Sequence, residues 1–184
     1  AAVLNEDIEF CEKQGLLEVL YVSLIVEKKI PVWYNNTKNT SVLDLFHEVL
    51  AYNPTSFIVV YKQNKIPQLQ KQQLYDWMDF SKTMAVIKNT DKNKQQLDSI
   101  ERLYAVLGQL SIKGLTSKEI QNILFKKVIV AWTENNWSIL SVANIWQELL
   151  WELCQKKNIS TKEILPALDK IKYSFSPALQ ISLS

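Results

Sequence analysis

"LLEVLYVSLIVEKKIPVWYNN", residues 16–36, decides how the first half of the chain is read. Leu16, Leu20 and Leu24 recur at helical spacing, and on that period a first helix would continue to Lys29. Val19, Val22, Ile25 and Val26 are β-branched, and side chains branched at Cβ pack more readily on a pleated strand than in a helix. "EKK" followed by Pro31 has the form of a hairpin turn leading into a second apolar run, "IPVWY". The balance favours two strands here, with a continuous helix as the alternative.

The flanks are plainer. Asn5 is a good N-cap, and Glu6, Asp7 and Glu9 follow it in the first turn, where acids complement the helix dipole. That helix is expected to stop at Gly15. "TSVLDLFHEVLAYNP" (40–54) is a second helix, capped by Thr40 or Ser41 and stopped by Asn53-Pro54. "SFIVVYKQNKIP" (56–67) is a run of apolar residues ending in a polar turn, and it reads as a strand. The order hairpin, helix, strand resembles that of a β-grasp (ubiquitin-like) module, in element order alone. From Gln68 the pattern becomes helical, with Leu69, Leu74, Trp77, Met78, Met84 and Ile87 along one side.

"NTDKNKQQ" (89–96) is the most polar stretch and marks a boundary. The expected architecture is therefore α+β and predominantly helical: a small lobe with a few strands over 1–88, then a helical bundle over 89–184, the two able to pack as one domain. The alternative is an all-α chain. Within the bundle, helices are expected near 91–112, 117–133 and 138–157, with a shorter one after Ser160 that Pro166 kinks or shortens.

Two similar phrases, "GLTSKEIQNIL" (114–124) and "NISTKEILPAL" (158–168), open two of these helices. Thr116-x-x-Glu119 and Ser160-x-x-Glu163 are capping boxes: the hydroxyl accepts from an unpaired backbone N–H, and the Glu carboxylate reaches back to the cap's own N–H. The likeness ends after the first turn and a half and has no third copy, so it is helix-start chemistry and not a repeat. Nor is it the opening of a helix-turn-helix, because "IQNILFKKVIVAWT" continues without the required short turn. The helix over 138–157 is apolar around most of its circumference, which suits a central buried helix and not one laid in a DNA groove.

Composition excludes several kinds of chemistry. With 184 residues and 47% of them apolar, the chain can bury a core without disulfides or metal. Its charge is +2, split as nine lysines against ten acids over 1–88 and twelve basic residues against nine acids over 89–184, so neither half is a basic arm. Arg102 is the single arginine among 21 basic residues, which argues against base-specific DNA reading. The Lys, Asn and Ile bias has the look of an AT-rich genome. Three scattered glycines cannot form a phosphate-cradling loop, and two distant cysteines, Cys11 and Cys154, with one histidine make no zinc site. No cofactor or metal is expected.

His47 would have to serve any Cys-His or Ser-His nucleophile pair, but its position fits a partly buried helix residue bonded locally. Asp76 and Asp79 flank Trp77 in "YDWMDF", a pattern an amphipathic helix also produces when it turns acids to water. The six tryptophans are the most unusual feature. Trp146 reads as core, whereas Trp132, Trp137 and Trp151 fall at a helix corner or off the buried face and are candidate partner-binding residues. Lys126, Lys127, Lys156 and Lys157 are candidate nucleic-acid contacts, with Trp137 stacking on an unpaired base. No signal peptide or bilayer-spanning run is visible, and the chain begins at Ala1, which suggests a piece of a larger protein acting in the cytoplasm. The expected function is a non-catalytic protein–protein interaction domain, a scaffold or adaptor; the alternative is a nucleic-acid-binding module.

Overall fold

A computed structural model describes residues 5–90, 94–156 and 158–171. Every extended element among them is helical, and no strand is present; one isolated antiparallel bridge joins Ile112 and Leu115. The expected α+β lobe is thereby corrected, and the all-α alternative fits. The contacts divide the chain into two compact units, Ala1–Thr90 and Asp91–Ser184.

In the first unit, α1 (Glu6–Lys13) is capped by Asn5, whose side chain accepts from the Asp7 and Ile8 amides. Gly15 takes the left-handed conformation that ends it. The decisive stretch is α2 (Leu17–Val22), continued by one π turn (Ser23–Glu27). Leu17, Leu20, Tyr21, Leu24 and Ile25 are all buried, at the i, i+3, i+4, i+7, i+8 spacing of a helix face. Val19 lies exposed, and Val22 and Val26 are only half-buried. The helix cost of β-branching is a few tenths of a kcal/mol, roughly, per residue. Burial of a leucine or tyrosine contributes about 1.5–3 kcal/mol and prevails. "EKK" is no hairpin turn: Lys28 leaves the π turn in the left-handed region, φ 55°.

The next correction has a similar cause. Asn53-Pro54 does stop α3 (Val42–Tyr52), but the same two residues start α4 (Pro54–Lys62) where a strand was expected. Asn53 caps it by accepting from the Ser56 amide at 3.1 Å, and Pro54 occupies a first-turn position where its missing N–H is no loss. Phe57, Val60 and Tyr61 then bury at i, i+3, i+4. The helical run from Gln68 is two helices, α5 (Gln68–Trp77) and α6 (Phe80–Thr90), with extended Met78 between them. Leu69 is exposed and lies off the buried side. Tyr21, Phe46 and Phe57 form an edge-to-face triangle with centroids 5.8–6.0 Å apart, where α2, α3 and α4 meet. The Tyr21 hydroxyl donates to the Asn53 carbonyl at 2.9 Å.

In the second unit, α7 (Lys94–Leu107) ends five residues before the expected Ile112 and packs on α8 (Ser117–Thr133). A Cβ added at Gly108 would lie 2.5 Å from Gln121 Nε2, so the glycine permits this close approach. Gln121 uses that position to donate to the Tyr104 carbonyl at 2.9 Å. Gly114 sits at φ 86° in the tight turn between Ile112 and Leu115, not at a helix end. The Thr116 capping box forms: Glu119 accepts from the Thr116 amide at 2.7 Å, and Thr116 Oγ1 accepts from the Glu119 amide at 3.1 Å. The expected 138–157 helix is a 3₁₀ turn (Trp137–Leu140), α9 (Val142–Trp151) and a second π turn (Glu152–Lys156). A last helix, α10 (Thr161–Ile171), starts directly after Ser160 and contains Pro166.

Candidate interaction surface

The sequence-derived contact residues separate on burial. Trp132, in the last turn of α8, and Trp137, in the 3₁₀ turn, are core residues. Trp151, at the end of α9, is 52% exposed. Lys126 is half-buried on α8, and Lys127 is engaged in an ion pair with Glu148. Lys157, and the side chains of Lys156 and Trp146, lie outside the described residues. Lys118, also on α8, is likewise occupied, donating to the Tyr104 hydroxyl at 3.1 Å.

The side chains proposed for chemistry are also spoken for. Asp79 caps α6, accepting from the Lys82 amide at 2.9 Å. Its own amide donates to His47 Nε2 at 3.1 Å. His47 is 7% exposed, and burial holds its imidazole below the ordinary value of 6.5, with Lys82 acting in the same direction and Asp79 and Asp44 opposing. Burial pushes the Cys11 thiol up to about 11, so it is protonated near neutrality and a poor nucleophile. Among the described residues no group of three or more His, Cys, Asp or Glu side chains is placed to hold a metal ion. No helix among them is long and apolar enough to cross a membrane.

The feature that sequence reasoning missed is the turn at Pro31–Tyr34. The Tyr34 amide donates to the Pro31 carbonyl at 3.0 Å, which closes a four-residue β-turn. Pro31 and Tyr34, its two ends, are buried. Val32 and Trp33, its centre, project: Val32 is fully exposed and Trp33 is 46% exposed. Turn centres are normally Gly, Asn, Asp, Ser or Pro, residues chosen for backbone geometry or polarity. A valine and a tryptophan bring neither advantage.

The flanks hold this tip in place. Upstream, Ser23 Oγ donates to the Lys29 carbonyl at 3.2 Å, and Lys28 Nζ lies 3.8 Å above the Trp77 ring. Downstream, the Thr37 hydroxyl and amide both donate to the Asp7 carboxylate, at 2.6 and 3.3 Å, and the Asn36 and Thr40 groups bond reciprocally at 3.0 Å. No local signal marks the turn, because Val32 and Trp33 stand inside the apolar run "IPVWY" between "EKK" and the polar "NNTKNT". No known protein family, curated protein or solved structure matches the chain.

Proposed function

We propose that the chain is a non-catalytic protein–protein interaction domain, and that its first unit meets the partner through Val32 and Trp33, with Trp151 a second contact on the other unit. The observation that carries this reading is the ordered turn that presents two large apolar side chains to solvent while burying its own ends. Aromatic side chains dominate the energetics of protein interfaces. A tip ordered before binding loses little further conformational entropy on docking, so more of its contact energy appears as affinity. The engaged state of Asp79, His47, Lys118 and Lys127 favours a binding role over catalysis or phosphate contact.

Affinity capture from the native host's lysate, with and without nuclease, tests the reading. The expected result is a stoichiometric protein partner that survives nuclease. Affinity for that partner, once purified, should fall at least about thirty-fold in Val32→Ser/Trp33→Ser, the equivalent of about 2 kcal/mol for a hot spot. Far-UV circular dichroism of the variant should match the parent. Capture lost on nuclease treatment, or affinity unchanged in this variant and in Trp151→Ser, overturns the proposal.

A further inference from the structure

We propose that His47 is an acid-release latch: its neutral imidazole ties α3 to the corner between α5 and α6, and protonation at Nε2 frees that corner. The inference is independent of the partner proposed above. It begins from the direction of one hydrogen bond. The Asp79 amide donates to His47 Nε2 at 3.1 Å. An imidazolium carries N–H at both nitrogens and has no lone pair with which to accept. The bond and the charged ring are therefore mutually exclusive.

The other ring nitrogen sharpens the effect. Because Nε2 accepts, the proton of the neutral ring resides on Nδ1, and Nδ1 is buried with no hydrogen-bond partner. Charging the ring in place thus adds no new bond and leaves a cation largely out of water, which is unfavourable unless compensated. The ring must leave its site, or the corner must leave the ring. The rest of Asp79 is already committed: its carboxylate accepts from the Lys82 amide at 2.9 Å, and its carbonyl accepts from the Thr83 amide and hydroxyl at 3.0 and 2.7 Å. Its amide is the group of Asp79 that bonds α3, beside the packing of Trp77 on Phe46.

Burial sets the direction, and the surrounding charges modify it. Lys82, on α6, opposes protonation, while Asp79 at the corner and Asp44 on α3 favour it. The π turn ends on Glu27 and is followed by Lys28, held over Trp77 at 3.8 Å; α5 carries Lys71 and Asp76, and the charged residue of α4 is Lys62, at its far end. Burial outweighs the two carboxylates, so the folded imidazole titrates below its ordinary value of 6.5. An unfolded or opened chain takes up the proton first as pH falls. The latch is fully closed above about pH 6.5 and weakens progressively below it. The consequence reaches the surface through Phe46, whose ring lies 5.3 Å from His47 and 4.9 Å from Trp77. Release of the corner withdraws Trp77 from both Phe46 and Lys28.

His47 is the single histidine, so one set of imidazole signals reports it without assignment. The test is nuclear magnetic resonance on the full chain from about pH 8 to about pH 4.5, a range that brackets the free imidazole value of about 6.5. The expected result is the Nδ1–H tautomer at the alkaline end and a midpoint below 6.5, with the Asp79 amide and Trp77 indole moving at that same midpoint. In His47→Gln, Asp79 and Trp77 should be flat across the imidazole window. Titration at the free value, Asp79 and Trp77 unmoved through the His47 transition, or a transition that persists in His47→Gln overturns the latch. Should His47→Gln fail to fold, the parent chain with Asp79→Asn replaces it: the Asp79 carboxylate is then removed as a source of the change, so position 79 amide and Trp77 signals still moving at the His47 midpoint support the latch, and signals that no longer follow that midpoint overturn it.

Discussion

The corner at 134–137 and the turn at 31–34 both set a tryptophan just beyond a helix end, and they dispose of it in opposite ways. At the corner, α8 closes with Asn135 in the left-handed region, its amide on the Trp132 carbonyl at 3.2 Å and the Asn136 amide on the Ala131 carbonyl at 2.9 Å. The chain is turned back at once, and Gln96 of α7 donates to the carbonyls of both Trp137 and Leu140 at 3.3 Å. The tryptophan itself is tied, and its indole goes inward. At 31–34 the ties fall on the residues either side, Pro31 and Tyr34, and the middle of the turn is left outside. Whether an aromatic packs or projects here depends on which residues of the turn are anchored, more than on how apolar the turn is.

The comparison can be broken at several points. The largest effect is expected at Trp132, whose truncation to Ala should cost about 3–5 kcal/mol, as removal of a buried aromatic does. Urea denaturation followed by circular dichroism would show it, and a loss comparable to that of a surface residue would mean the corner is not core. Asn135→Ala should come next, at about 1–2 kcal/mol, because a side chain with Cβ but without a local polar group is strained at positive φ. Asn135→Gly should be neutral or slightly stabilising, and equal losses in the two variants would show that the left-handed turn is not what holds the corner. The smallest effect is expected at Trp33→Ser, within about 0.5 kcal/mol of the parent as for other surface sites. A larger destabilisation would make Trp33 a packing residue and remove the contrast.

The caps were the legible part of the sequence. Asn5, Ser41 and Thr116 each act through one short side chain and the amide two or three residues on, so a local phrase specifies them fully. Residues 16–27 were not, although the helical period there was complete. Leu17, Tyr21 and Ile25 extend the Leu20 and Leu24 series onto one face, but strand propensity of the outward valines competed with it in any window that does not know which side is buried. Asn53-Pro54 misled because a helix stop and a helix start use the same residues. Asp79 split the run from Gln68 for a related reason: its carboxylate caps the second helix while Trp77-Met78 keeps the apolar pattern unbroken. The projecting Val32 and Trp33 were beyond sequence reading, since their exposure follows from the burial of the two ends of the turn, Tyr34 among residues distant in the chain. Tyr34 feels burial first, then Asp7, Cys11 and Glu48, all of which raise its phenol. The candidates Trp132 and Trp137 were chosen for standing at a corner, a position that does not distinguish the two kinds of turn.

The π turn at Ser23–Glu27 sets where the chain tolerates the loss of a residue. A π turn holds one residue more than the α turn it replaces, so it behaves as a single-residue insertion absorbed without interrupting the helix. Excising one residue there would let α geometry run through with both flanks kept in register, whereas excision within α2 itself would rotate one flank against the other by about 100°, one helical residue's worth. In a lineage of related chains, gain or loss of one codon at the π turn would leave the core of the unit and the aim of the apolar tip as they are.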